Sequence, residues 1–278
     1  MKSISDCEIP AIHQCNKISF EVHTFPKSDP MSAASHIILL KWGNRYGPEY
    51  VNRLAASARR NTSMPVTINC FTDDASGIVP SVVVHPIPEI ELPPAAMLTG
   101  WRKLCLFRTD LPVEGDCLFL DLDIVVTGPL DDFFTYEPKK IPIIHNWLAS
   151  HKTWFRKRPE VGNSSVFRFT ANQCGFVWEQ FHREKDWALA NFQPPQTYLT
   201  HCIRPKMCYW PDSWVKSFKR HCQPPFPLNL LMTPRLPKDA KIIAFHGKPD
   251  PDEVIDGYKG RKIHHHTKPT PWVAEHWL

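Results

Sequence analysis

The sequence predicts an α/β fold: a single domain with a central, mostly parallel sheet. Short apolar runs rich in branched and aromatic residues recur along the chain, as in strands that are buried on both faces of such a sheet. Some of these runs lead through short loops into helical patterns, as α/β folds require. The clearest run, residues 117–130 (CLFLDLDIVVTGPL), also carries two carboxylates, Asp121 and Asp123.

Length and composition support this class. The 278 residues suffice for a substantial core. With 33 Lys and Arg against 28 Asp and Glu, the net charge is +5, a mild excess that suits anionic ligands without requiring nucleic acid. The 28 prolines predict ordered loops and short elements. Nine scattered cysteines without a Cys-x-x-Cys pair suggest a reducing, cytoplasmic compartment. We expect neither a signal peptide nor a membrane-spanning run.

We divide the chain into three parts. Residues 1–34 lack clear periodicity and are predicted to form an N-terminal arm. Residues 35–257 form the predicted α/β domain. Residues 258–278 are a basic, aromatic tail, a candidate for peripheral contact with an anionic membrane, although the tail lacks the amphipathic period of a committed surface helix.

The first strand and helix carry candidate nucleotide contacts. Residues 36–40 (HIILL) predict a buried strand, and Pro48 opens a helix. The loop between them holds Lys41, Trp42 and Tyr46, and loops of this kind bind nucleotides at strand ends in α/β folds. An ordinary strand-to-helix connection, with the aromatic residues packing, explains it equally well.

Two further candidates precede the acidic run. Residues 66–71 predict a second strand that leads to Asp73 and Asp74, either of which could accept a hydrogen bond from a ribose or base, although turn-capping carboxylates are at least as common. Residues 82–84 predict a third strand. The helical pattern of residues 100–107 carries Lys103, which is placed to approach a diphosphate or to remain solvated.

Asp121 and Asp123 are the central candidates. We predict one strand through residues 118–126, with both carboxylates at its exposed carboxyl end, because an unpaired charge inside an apolar strand is costly. Residues i and i+2 of an extended chain point to the same side, so both carboxylates could reach one divalent cation. The alternative is that they bond to the following turn, residues 127–129.

The second half of the sequence carries small polar and aromatic residues that could contact a ligand. Asn163 and Ser164 lead into a predicted strand at residues 166–169, where small polar side chains suit sugar hydroxyls or simple turn chemistry. Residues 151–158 predict a basic, aromatic loop. Residues 209–214 predict an aromatic loop that could stack on sugar rings or serve as core.

The remaining elements are a short helix at residues 129–134, a strand at 141–144, a helix through 176–181 and another that starts near 194–199. The last clear strand, residues 241–245, ends in His246-Gly247-Lys248-Pro249.

An Asp-x-Asp after one strand and His-Gly-x-Pro after a late strand resemble the motifs of the GT-A (Rossmann-like) nucleotide-sugar glycosyltransferases, particularly glycogenin and bacterial lipopolysaccharide galactosyltransferases. The resemblance covers residues 36–250 in element order. It implies that Asp121, Asp123 and His246 hold Mn²⁺ or Mg²⁺, which bridges the donor's diphosphate. It also implies transfer of a sugar, most simply from a UDP-sugar, to a hydroxyl of a glycan or glycolipid acceptor, and a role in bacterial surface polysaccharide synthesis.

The same resemblance implies further roles. Lys103 matches a basic donor contact, and Gly247 and Lys248 match the family's late phosphate-binding motif in compressed spacing. Relatives often carry an acidic residue beside a glutamine at a helix start, where this chain has Pro195 and Gln196, so Gln196 is the catalytic or acceptor-side candidate.

Two other functions compete. A haloacid-dehalogenase-type phosphatase would use Asp121 as nucleophile and Asp123 as acid/base. The mid-chain position of the motif, the lack of a later acidic pair and the unexplained His246 argue against it. A non-catalytic carbohydrate-binding module is the third possibility. Retention or inversion at the anomeric carbon stays open, since Asp212 is only a weak candidate base for inversion.

Overall fold

The computed structural model describes residues 34–147 and 157–277, which belong to one compact unit. The predicted N-terminal arm, apart from Ala34, lies outside the described residues, as does most of the predicted basic loop at 151–158.

A seven-stranded sheet forms the centre of the unit, in the order β3-β2-β1-β4-β7-β6-β8. Neighbours are parallel except where β7 runs antiparallel to both β4 and β6, so the predicted mostly parallel α/β architecture is confirmed. The strands are β1 Ser35–Lys41, β2 Thr67–Thr72, β3 Val83–Pro86, β4 Asp116–Leu120, β6 Ile141–His145, β7 Gly162–Thr170 and β8 Met207–Tyr209.

A second, three-stranded sheet contains β5 Ile124–Val126, β10 Ile242–Ala244 and β9 Val215–Ser217 in that order. Strand β10 is antiparallel to β5 and parallel to β9. This corrects the prediction of one strand through residues 118–126. The chain leaves the large sheet after Leu120, turns through residues 121–123, and enters the small sheet at Ile124. Because Asp121 and Asp123 lie in this turn, neither carboxylate is inside a sheet, where burial of its charge would be costly.

Helices cover the sheets and bury apolar residues on them. The helix predicted to open at Pro48 is confirmed, and Val51, Leu54, Ala55 and Ala58 are buried on its inner face. The helices are α1 Pro48–Arg60, α2 Pro94–Met97, α3 Asp131–Thr135, α4 Gly175–Asn191, α5 Gln196–Ile203, α6 Pro251–Ile255 and α7 Pro271–Trp277, with 3₁₀ helices at Gly100–Phe107, Leu228–Leu230 and Ile263–His265 and a π-helical turn at Phe218–Cys222.

Aromatic residues near the end of the chain belong to the core. Trp210 is 3% exposed, and its Nε1 donates a hydrogen bond to the Val166 carbonyl, so it serves packing rather than sugar stacking. In the predicted tail, Trp277 of α7 is buried with its ring centroid 5.0 Å from that of Tyr50 in α1. Among the described residues, the helices are too short or too polar to cross a bilayer.

Candidate functional site

A cavity of about 510 Å³ opens where β1 and β4 end. Parallel strands of α/β sheets commonly form ligand crevices at their carboxyl ends, because the loops there diverge to opposite faces. Its lining comprises Leu40, Trp42, Gly43, Asn44, Arg45, Tyr46, Leu98, Thr99, Gly100, Lys103, Asp121, Leu122 and Asp123. The structure thus brings together five of the predicted site residues: Trp42, Tyr46, Lys103, Asp121 and Asp123.

Asp121 is held by Lys103. The lysine Nζ lies 2.7 Å from Oδ1 and 2.8 Å from Oδ2 of the carboxylate, and it also donates to the Ser164 carbonyl at 3.0 Å. The Asp121 N–H donates to the Ser165 carbonyl at 2.9 Å, which ties the turn to β7. Lys103 is 7% exposed, so its charge is directed into the cavity wall, where it orients one carboxylate.

Asp123 lies in a more negative environment. Its Oδ2 accepts a hydrogen bond from the Tyr46 hydroxyl at 3.2 Å, and the same hydroxyl reaches Asp250 Oδ1 at 3.3 Å. Burial raises the pKa of the Asp123 carboxyl well above its usual range, and the neighbouring Asp121 raises it further. A carboxyl whose charge is disfavoured in this way gains most from an added cation.

His246 follows the small sheet's β10 and lies beside the Asp-x-Asp turn in the backbone. The Phe245 N–H donates to the Asp123 carbonyl at 2.9 Å, which joins the two segments one residue before the histidine. The His246 Nε2 is 2.7 Å from Ser217 Oγ, and its own carbonyl accepts from Lys219 Nζ at 2.7 Å. Burial, followed by the charge of Lys219, lowers the pKa of His246, so its imidazole is favoured in the neutral form that binds metals.

Asp121, Asp123 and His246 are of the types that suit a divalent cation whose remaining coordination positions are filled by a bound ligand. Among residues 34–147 and 157–277, groups of three or more metal-binding side chains already gathered as a cage are absent. Mg²⁺ and similar ions are commonly held by one or two carboxylates together with substrate phosphates and water, so a cage is not required. The observation that favours a cation here is geometric: the Tyr46 hydroxyl contacts both Asp123 and Asp250, and Asp121 lies only two residues from Asp123.

Two other predicted contacts lie to one side of the cavity. Lys41 is buried, and its Nζ donates to the Asp74 carbonyl at 3.2 Å. Asp73 accepts a hydrogen bond from the Gly43 N–H at 3.0 Å and lies 3.9 Å from Arg102. Gly43 has φ +61°, a left-handed conformation that favours glycine. The hydrogen bond that Asp73 accepts from Gly43 holds this loop, which lines the cavity.

The acceptor-side candidates are more scattered. Asn163 Oδ1 accepts from the Ser165 N–H within β7, whereas Ser164 meets Lys103. Gln196 is the first residue of α5, where its carbonyl accepts from Thr200. Lys248, which is a candidate for the phosphate side rather than the acceptor side, forms ion pairs with two carboxylates, Asp250 at 2.8 Å and Glu253 at 2.7 Å.

Sequence reasoning missed Asp250, Arg45, Ser217 and Lys219. Asp250 is 3% exposed and caps α6 in a capping box with Glu253. Its sequence context, Asp followed by Pro251 and by Glu three positions later, signals a helix start but not a place beside Asp123. The sequence pattern around Ser217 and Lys219 offers no signal, because their partner His246 is 27 or more residues away.

Comparison with known proteins decides the fold. No family model and no curated protein matches the chain. The galactosyltransferase LgtC, solved in complex with donor and acceptor sugar analogues, superposes with a TM-score of 0.51 at 14% identity and covers 78% of this chain and 88% of LgtC. The bifunctional glycosyltransferase WbbM, solved in its apo form, gives 0.53 at 11% identity over 81% of this chain and 48% of WbbM.

The chain has a GT-A glycosyltransferase fold. The expectation drawn from the Asp-x-Asp and His-Gly-x-Pro motifs is thereby confirmed for the architecture. In this GT-A chain the Asp-x-Asp motif is the turn that connects the large sheet to the small one.

Proposed function

We propose that the protein is a glycosyltransferase that moves a sugar from a nucleotide-sugar donor, most simply a UDP-sugar, to an acceptor hydroxyl. The observation that supports this most is the cavity at the ends of β1 and β4, whose wall contains Lys103, Asp121 and Asp123. The GT-A fold of the chain supports the same function.

In this proposal Asp123, Asp121 and His246 hold Mn²⁺ or Mg²⁺. When bound, such an ion supplies electrophilic stabilisation of the charge that develops on a departing diphosphate. Lys103 orients Asp121, and Tyr46 orients Asp123, each through the hydrogen bonds of the site. The Ser217 hydroxyl would have to release His246 Nε2 if that nitrogen were the ligand.

The remaining donor contacts are proposed from position. Trp42 and the loop that follows it line the cavity and could face the nucleotide, while Asp73 supports that loop from behind. Gly247 and Lys248 are proposed for the phosphate side. Asn163, Ser164 and Gln196 are proposed for the sugar or the acceptor, and a cytoplasmic role in surface polysaccharide synthesis is part of the same proposal.

The decisive experiment is calorimetric titration of UDP into the purified protein with and without Mn²⁺. We expect binding that requires the metal and is lost in Asp123→Asn. Asp110→Asn is the matched control, because that carboxylate is paired with Arg108 and lies outside the cavity lining. Metal-dependent binding in Asp110→Asn but not in Asp123→Asn is the expected result.

Two other outcomes would redirect the assignment. Absence of UDP binding under both conditions would contradict the proposal and favour the phosphatase, for which a generic phosphate-ester assay is the test. UDP binding without hydrolysis of UDP-sugars in the absence of acceptor would favour a binding module.

A further inference from the structure

A second, basic cleft lies beside the candidate site. It has a volume of about 760 Å³, and it contains five basic side chains and none that is acidic. The remaining lining residues are a proline-rich segment with an exposed phenylalanine, a glutamine and Pro249. We call this cleft the basic cleft and define it by Lys219, Arg220, Lys248, His264, His265 and Phe226.

The charge of the basic cleft is only partly neutralised. Lys248 is paired with Asp250 and Glu253. In contrast, Lys219 donates to a carbonyl, and neither Lys219 nor Arg220 has a carboxylate within ion-pair distance in the part of the chain that the structure describes. Burial lowers the pKa of Lys219, and the charge of Arg220 lowers it further, so a bound anion would stabilise this pair of cations.

Asp250 connects the basic cleft with the cavity. Its Oδ1 lies 3.3 Å from the Tyr46 hydroxyl and 3.5 Å from Arg45, both of which line the cavity. Its Oδ2 lies 2.8 Å from Lys248 Nζ in the basic cleft. Lys219 likewise reaches the His246 carbonyl. A ligand in the basic cleft would therefore lie next to the segment that carries His246.

We propose that the basic cleft binds the carboxylate or phosphate of an acidic glycan acceptor and thereby selects for an anionic acceptor. This inference rests on the proposed function. In the transfer, an acceptor hydroxyl oxygen forms a bond to the donor's anomeric carbon. The bond from that carbon to the β-phosphate oxygen breaks, its electron pair leaves with UDP, and the hydroxyl proton passes to solvent.

The lining distinguishes an acidic sugar from other anions. Phe226 is 55% exposed, and its ring, beside two prolines, offers an apolar face of the kind on which sugar rings stack. The basic cleft is concave, and a concave site suits a discrete ligand better than it suits a flat lipid surface. In the proposed function the donor's diphosphate lies by the Asp-x-Asp turn and Lys248 approaches its phosphate side, so Lys219 and Arg220 are the cations of the basic cleft that the acceptor's anion would meet.

The test compares glucuronic acid and glucose 6-phosphate with neutral glucose by saturation-transfer NMR, in phosphate-free buffer with and without saturating UDP and Mg²⁺. We expect the two anionic sugars to bind about tenfold more tightly than glucose, because hydrogen bonds to charged groups are stronger than neutral ones. Their relative strength separates a carboxylate ligand from a phosphate ligand. In Arg220→Gln the preference should fall to less than about threefold, since Arg220 is exposed and, among the residues that the structure describes, has no carboxylate within ion-pair distance.

Lys139→Gln, which removes one exposed positive charge outside the basic cleft, is the matched control and should retain the preference. Equal binding of all three sugars, or an unchanged preference in Arg220→Gln, would overturn the inference. Competition between the anionic sugars and UDP would also overturn it, because the basic cleft would then be the diphosphate subsite. Calorimetry of UDP on the same samples tests the proposed function separately, so either can fail alone.

Discussion

The Nζ of Lys103 lies within 2.8 Å of both carboxylate oxygens of Asp121, so the lysine neutralises one member of the Asp-x-Asp pair. In residues 34–147 and 157–277, the other member, Asp123, has no cation within ion-pair distance. Asp123 instead accepts a hydrogen bond from Tyr46. The two aspartates therefore have different electrostatic environments although they are only two residues apart. Lys103 orients the first carboxylate, and the Tyr46 hydroxyl contacts the second.

Replacement of Lys103 should reveal the strength of this orientation. In Lys103→Met we expect the free energy of unfolding to fall by about 2 kcal/mol, because Asp121 and the Ser164 carbonyl lose a buried cationic donor. This is less than for a fully buried pair, since the Asp121 side chain remains 22% exposed. Urea denaturation measures this change in the free energy of unfolding. The double variant Lys103→Met/Asp121→Asn should recover about half of the loss, and no recovery would show that packing alone is responsible.

The stability of the protein should depend on pH through Asp123. Its folded-state pKa is raised, so the folded protein binds more protons than the unfolded chain between about pH 4 and the raised pKa, and the free energy of unfolding falls as the pH rises through this window. Without metal, Asp123→Asn should therefore have the higher melting temperature at pH 8. The difference should disappear near pH 4.

Bound Mn²⁺ and UDP should reverse the order of the two melting temperatures at pH 8. With Mn²⁺ and UDP present at pH 8, the unmodified protein should gain stability by mass action, whereas Asp123→Asn should not. Differential scanning calorimetry of the four combinations measures this. A lower melting temperature for Asp123→Asn without ligands at pH 8 would contradict the assigned electrostatics.

The backbone at Gly247 should limit substitution. Its φ is +64°, and an added Cβ would lie 3.6 Å from Lys219 Nζ, which is ordinary contact. We expect Gly247→Ala to lower the free energy of unfolding by about 1 kcal/mol through backbone strain alone. Gly100→Ala is the control: its Cβ would lie 3.8 Å from Pro195 without a left-handed φ, so thermal melting should show little change. Equal effects of the two substitutions would refute the strain at Gly247.

Arg168 should be structural rather than functional. It is 1% exposed, and its guanidinium donates to the carbonyls of Phe133, Phe134 and Glu137 at 2.9, 2.8 and 2.7 Å. In Arg168→Met these acceptors lose their donor, and we expect about 3 kcal/mol of destabilisation with unchanged UDP affinity in the folded protein.

Arg183→Met, at an exposed position of α4, is the matched control for Arg168→Met and should change stability by less than about 0.5 kcal/mol. Chemical denaturation and calorimetry on both variants separate the two effects. A selective loss of UDP binding in Arg168→Met, without destabilisation, would contradict the structural role.

The sequence predicted the elements whose signals are local. The apolar run at residues 36–40 placed β1 within one residue of its observed ends, and Pro48 marked the observed first residue of α1, because hydrophobic periodicity and the proline restraint act over a few residues. Trp42 and Tyr46 were found because they lie in the loop between these two elements, whereas Lys103 lies within the helical pattern of residues 100–107 and was matched through the family resemblance.

The features that the sequence did not predict depend on distant contacts. Asp250 meets Tyr46 across 204 residues, and its local context signals only a helix start. The split of residues 118–126 between two sheets was missed because a continuous apolar run has the same pattern whether it stays in one sheet or crosses to another. The partners of β5 come from β10, which no window around β5 contains.

The pairing of β5 with β10 has a kinetic consequence. Ile124 lies opposite Ala244, so the segment that carries His246 reaches the Asp-x-Asp turn only after about 120 residues of intervening chain have closed into a loop. Contacts of such high sequence separation form slowly and late. The nucleotide binding that we propose should therefore emerge only with the last phase of refolding. A chain that has collapsed before β10 pairs with β5 should not bind and should be prone to aggregation.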